Sequence, residues 1–69
     1  MTVLKNKLRS CRKERGDTQA SFAEELGVSR QTINAIENEK YNPSLELAIK
    51  ISRLVGEPVQ EIFYLPKEG

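Results

Sequence analysis

The stretch TQASFAEELGVSRQTINAIE, Thr18 to Glu37, carries two helical patterns broken by a three-residue turn, Gly27-Val28-Ser29. Phe22, Ala23 and Leu26 fall at i, i+1 and i+4 before the turn, and Val28, Ile33 and Ile36 follow it. Each predicted helix therefore buries one narrow stripe. Gly27 stands where the first helix must stop and the chain must turn sharply, a place that favours a residue free to take positive φ. Ser29 precedes the second helix, where its hydroxyl accepts from an otherwise unpaired amide of the first turn.

That second helix is predicted from Arg30 to about Asn38. At about 100° per residue it places Ile33 and Ile36 inside and Gln31 almost opposite. Asn34, Ala35 and Asn38 lie near Gln31, with Arg30 and Thr32 on the flanks. The outward face holds amides and one small residue, and no carboxylate. Gln and Asn match the donor–acceptor edge of adenine, Arg matches guanine, and Ala rests against a thymine methyl. Any solvated helix shows such residue types, but the short turn leaves this one protruding, which favours the major groove.

Thr18-Gln19, Phe22-Ala23, Leu26-Gly27-Val28-Ser29, Ile33, Ile36-Glu37-Asn38 and Asn42-Pro43-Ser44-Leu45 together resemble the Xre/Cro, lambda-repressor-like, helix-turn-helix family of phage and bacterial repressors. The resemblance runs from Asn6 to Phe63, and the string VSRQTINAIENEKYNPSLELA is especially similar to small stand-alone dimeric members. It implies an all-α domain over residues 1–69, with five helices and the helix-turn-helix at about 18–38. DNA contacts are expected from Thr18, Gln19, Ser29, Arg30, Gln31, Thr32, Asn34, Ala35, Asn38, Lys40 and Tyr41. In the family a Gln at the position of Gln19 touches the DNA backbone and braces the reading helix.

Sixty-nine residues make one domain, near the lower limit for folding on a hydrophobic core without staples. Cys11 is the only cysteine, so no internal disulfide forms, and with no His no zinc cluster is expected. Cys11 reads as a small core residue, with a redox role the weaker alternative. No apolar run has signal-peptide or membrane-spanning length, so a cytoplasmic protein is expected. Net charge is +1, but residues 1–16 hold six bases against Glu14, whereas residues 17–69 hold five bases and nine acids. A near-neutral total can thus hide a basic face, provided Glu24, Glu25, Glu46, Glu57 and Glu61 point away from phosphates.

The first segment, with β-prone Thr2-Val3-Leu4, is either a strand or arm pairing with Ile62-Phe63-Tyr64-Leu65 or a frayed end. The family's small dimeric members place these two segments side by side. Asn6 is the expected cap of a helix running to about Arg15, with Leu8, Cys11 and Arg12 on one face and Gly16 as its stop. A buried guanidinium at Arg12 needs a carboxylate, and Glu37 is the candidate; the family pattern has an Arg–Glu pair at these two positions.

Thr18 caps the next helix. Two departures from the family soften its start: Asp17 replaces an apolar residue, and Ser21 replaces the Glu that would complete a capping box. Glu39 replaces the family's usual glycine, so a different turn is expected there. Lys40 and Tyr41 are the natural phosphate contacts of an otherwise ordinary polar loop. Ser44 caps a fourth helix, Leu45 to Val55, ended by Gly56, with Leu45, Ala48, Ile49, Ile51, Ser52, Leu54 and Val55 as its broad apolar surface. Pro58 opens a last short helix, at its first helical position, through Phe63. A symmetric dimer is expected through residues 57–66, with Val59, Ile62, Phe63, Tyr64 and Leu65 at its interface.

The leading expectation is a sequence-specific double-stranded DNA-binding regulator, a repressor acting as a homodimer on a palindromic operator. The alternative is an antitoxin-like module that acts mainly on a regulatory protein partner. Catalysis is disfavoured: Glu24 and Glu25 are adjacent and cannot face one site, no His serves as base, and no glycine-rich phosphate loop occurs. No cofactor, metal, membrane or small-molecule ligand is expected.

Overall fold

Hydroxyl and amide side chains at the helix starts, and left-handed residues at their ends, lay out the chain. The computed structural model describes residues 2–67; Met1, where the expected arm begins, and the last two residues lie outside the described region. The order is β1 (Lys5–Asn6), α1 (Leu8–Glu14), α2 (Gln19–Leu26), α3 (Arg30–Glu37), α4 (Leu45–Val55), α5 (Val59–Ile62) and β2 (Phe63–Tyr64).

Thr18 caps α2 by accepting from the Ser21 amide, while the Ser21 hydroxyl accepts from the Thr18 amide, both at 3.0 Å. The capping box expected to be incomplete is therefore closed by a serine, whose short side chain reaches the same donor. Ser29 and Ser44 cap α3 and α4 by accepting from Thr32 and Leu47, each at 3.1 Å. Asn6 serves α1 from one position further out than expected: Lys7 is the capping residue, and Asn6 Oδ1 accepts from the Leu8 amide at 3.0 Å.

At the end of α2 the amides of Val28 and Gly27 donate back to the carbonyls of Ala23 and Glu24, around Gly27 at φ 73°. The same two bonds recur at the end of α3, from Lys40 to Ala35 and from Glu39 to Ile36, around Glu39 at φ 58°. The different turn expected from the lost glycine does not appear: the glycine-type reversal is kept, with a glutamate in left-handed backbone.

Leu8, Phe22, Ile33, Ile36, Ile51 and Ile62 are fully buried and join all five helices in one core. Leu47 belongs to that core as well, whereas Leu45 and Ile49 are 75% and 43% exposed. The buried stripe of α4 is thus narrower than its sequence pattern suggested, and it is phased through Leu47, Ala48 and Ile51.

The two termini meet as expected, but in a shifted register. Lys5 pairs with Tyr64 and Asn6 with Phe63 in an antiparallel ladder, while Thr2 to Leu4 are not in a strand. Pro58 occupies the cap position of α5, with extended backbone, and not its first turn; Phe63 has already left the helix for β2. Ile62 and Phe63 are correspondingly 0% and 5% exposed. Their side chains complete the protomer's own core, which removes them from the expected dimer surface. Val59 stays half-buried, and Tyr64 and Leu65 stay exposed.

Candidate nucleic-acid interface

The orientation of α3 is set by a buried carboxylate. Arg12 on α1 donates from Nε to Glu37 Oε2 at 2.7 Å and from Nη2 to Oε1 at 3.2 Å, and its Nη1 reaches the Asp17 carbonyl at 3.0 Å. The Glu37 side chain is fully shielded from solvent. Burial pushes its carboxyl up, yet hydrogen bonds from Arg12, Gln19 and Arg9, with the charge of Arg12, hold it below the usual carboxylate range. The Glu37 hydrogen bond in turn raises Arg12 despite the opposing effect of burial. The pair expected between α1 and α3 is present, and it fixes the angle at which α3 stands off the globule.

Along one edge of α3, Gln19 at the start of α2 donates from Nε2 to Glu37 Oε1 at 3.1 Å and accepts at Oε1 from Asn34 Nδ2 at 3.4 Å. Asn38 donates from Nδ2 to Asn34 Oδ1 at 3.1 Å and to the Asn34 carbonyl at 3.0 Å. Three of the residues expected at DNA are thus tied into one layer of amides. Arg9 on α1 joins it, with Nη2 donating to Asn38 Oδ1 at 3.1 Å and Nε to Glu37 Oε1 at 3.4 Å. Arg9 was not anticipated. Its position three residues before Arg12, on the same side of α1, was the available signal.

Further along the outer face, Ser29, Arg30 and Gln31 are exposed, while Thr32 and Ala35 are half-buried. The hydroxyls of Ser29 and Thr32 lie 3.0 Å apart. Among the described residues, neither Arg30 nor Gln31 has a side-chain hydrogen bond to the rest of the protein. Thr18 borders the same side through its cap of α2.

The loop after α3 is sewn to the first segment. The Leu4 amide donates to Asn42 Oδ1 at 2.7 Å, Asn42 Nδ2 donates to the Thr2 carbonyl at 3.1 Å, and Asn6 Nδ2 donates to the Ile36 carbonyl at 2.8 Å. Glu39 pairs with Lys5 at 3.5 Å. Lys40 and Tyr41 are left exposed at the tip. Asp17 is likewise engaged: Arg15 Nε donates to it at 2.9 Å, and with the Ser21 hydroxyl keeps its carboxyl low. Glu25 accepts from Arg15 Nη2 at 3.0 Å, and Glu46 pairs with Lys50 at 3.2 Å. Among the described residues no helix is long and apolar enough to cross a membrane, and no group of His, Cys, Asp and Glu is arranged to hold a metal ion.

This arrangement matches known proteins over most of the chain. The helix-turn-helix family profile matches residues 8–62. An uncharacterised HTH-type transcriptional regulator of Methanocaldococcus jannaschii is 52% identical over 60 residues, covering 87% of this chain and 91% of its own length. The immunity repressor protein of Bacillus phage phi105 is 39% identical over 59 residues, 74% of this chain and 41% of that protein. Among solved structures, that of a candidate DNA-binding protein from Bacteroides fragilis superposes with a TM-score of 0.76 at 25% identity, over 87% of this chain and 97% of its own. The chain belongs to the helix-turn-helix family in its Xre/Cro-like branch, whose members are transcriptional regulators and not enzymes.

Proposed function

We propose that the protein is a repressor that binds a palindromic operator in double-stranded DNA as a homodimer, with α3 of each subunit in a major groove. The observation that carries this reading is the open outer face of α3: Arg30 and Gln31 are exposed, and no carboxylate shares that face. Arg30, Gln31, Asn34 and Ala35 meet base edges. Thr18, Gln19, Ser29, Thr32, Asn38, Lys40 and Tyr41 meet the sugar–phosphate backbone and set the register.

Two-fold symmetry places the reading helices about 34 Å apart, one turn of the duplex. Val59, Tyr64 and Leu65 supply the apolar contact between subunits; Tyr64 and Leu65 are 47% and 73% exposed on the protomer. The repressor name of the phage relative supports repression, with occlusion of polymerase as the simplest mechanism. Work on chromosomal DNA places the protein in the cytoplasm.

A second reading, action mainly through a protein partner, draws on the exposed Leu45 and Ile49 of α4. Selection of bound duplexes from random DNA, repeated with Gln31→Ala and over a range of salt, separates the two. Groove reading predicts a symmetric motif, loss of preference at one or two symmetric positions in the variant, and steep weakening with salt. A selection that returns no motif would favour the partner reading.

A further inference from the structure

The amide layer along one edge of α3 closes into a ring. Arg9 Nη2 donates to Asn38, Asn38 to Asn34, Asn34 to Gln19 and Gln19 to Glu37, while Arg9 Nε returns directly to Glu37. A guanidinium only donates and a carboxylate only accepts, whereas each carboxamide does both and can be turned over. Between those two ends one sense satisfies every link: each amide turns its oxygen toward Arg9 and its nitrogen toward Glu37. A reversed amide would set N–H against N–H on one side and oxygen against oxygen on the other.

We propose that Arg9 is a specificity-determining positioning residue of the DNA site, which with Glu37 fixes the groups that Gln19, Asn34 and Asn38 present to the duplex. Gln19 and Asn34 each spend one N–H within the ring and keep the other. Asn38 spends both, on Asn34 Oδ1 and on the Asn34 carbonyl, and keeps one oxygen lone pair, the other being taken by Arg9. Two N–H donors of set position, from Gln19 and Asn34, and the remaining lone pair on each of the three amide oxygens thus flank Arg30 and Gln31. Arg12 keeps Glu37 ionised from the opposite side, so the ring's accepting end persists without Arg9. The Arg9 side chain is 52% exposed, so replacing it leaves the buried Arg12–Glu37 pair in place.

The proposal rests on α3 as the groove-facing helix, and the test keeps the two apart. Affinities of the wild type, Arg9→Lys and Arg9→Gln are measured for the selected operator and for an unrelated duplex at several salt concentrations. Arg9→Lys keeps a donor-only cation at the head of the ring, whereas glutamine there allows either sense. Loss of the charge alone lowers both affinities by one factor and leaves their ratio unchanged at every salt concentration. Misoriented amides lower the operator affinity further, so the operator-to-unrelated ratio falls about tenfold in Arg9→Gln and stays near wild type in Arg9→Lys.

An unchanged ratio in Arg9→Gln would overturn the proposal. So would NMR of the free wild type showing the side-chain amides of Asn34, Asn38 and Gln19 exchanging with water as fast as free carboxamides. A wild type that selects no motif would instead remove the DNA reading itself.

Discussion

Glu39 sits where left-handed backbone strains any side chain with a Cβ, by about 1–2 kcal/mol. Its compensations are weak: a half-exposed ion pair with Lys5 at 3.5 Å and a hydrogen bond from the Asn6 amide at 3.4 Å. Glu39→Gly should therefore stabilise the protein by about 0.5 kcal/mol, a rise of roughly 2–4 °C in Tm. A fall in Tm would show that the carboxylate's hold on the first segment outweighs the strain. Glu37 is the opposite case, because Glu37→Ala strands a buried guanidinium. A loss of about 3 kcal/mol or more is expected in denaturant unfolding, and an unchanged midpoint would refute the pairing. The pH dependence follows from the same groups. Glu37 and Asp17 have carboxyls held low in the fold, so their stabilisation is complete above the unfolded value of about 4. It is lost as pH falls through the lower folded-state values. With no His in the chain and the Cys11 thiol pushed up by burial, Tm should be flat from about pH 5.5 to 8 and decline below about pH 4.

For the helices, what is local was legible and what is distant was not. Serine and threonine caps, glycine stops and the 18–38 turn depend on neighbours a few residues away, and α4 ends at Val55 as its following glycine indicated. The Arg12–Glu37 pair was legible because a charge on an apolar stripe demands a partner. The phase of α4 was not, since Leu45 and Ile49 carry the same apolar signal as Leu47, and only the position of α2 and α5 selects among them. Strand register and the amide ring likewise depend on residues from different elements, as in the Lys5–Tyr64 pairing and the Gln19–Asn34 and Arg9–Asn38 bonds. Gly27 offers a clean test of the turn that presents α3. A Cβ there meets no atom within 4 Å, so Gly27→Ala should cost about 1 kcal/mol of backbone strain alone. Thermal melts check the loss; a much larger one would mean that the turn itself rearranges.

The positive surplus of the first sixteen residues looked like a face for phosphates, yet the fold consumes much of it. Lys5 pairs with Glu39, Arg9 and Arg12 pair with Glu37, and Arg15 pairs with Asp17 and Glu25. Those bases hold the globule together and neutralise acids around the site, which in the proposed complex leaves phosphate attraction to exposed groups such as Lys40. Assembly should be governed by the tail. Leu65→Glu should shift sedimentation from dimer to monomer at micromolar concentration and weaken operator binding in parallel, with Tm measured at high protein concentration falling as the linkage is lost. A variant that still sediments as the dimer would move the interface elsewhere. The two ends of α3 differ in freedom: among the described residues the side chains of Arg30 and Gln31 make no hydrogen bond to the protein around them, whereas Asn34 and the capping Asn38 are wired into it. On the proposed docking, a library aimed at new operators would therefore diversify exposed positions 30 and 31 while keeping 34 and 38 constant, because the former would alter what is read and the latter also how the reader is held.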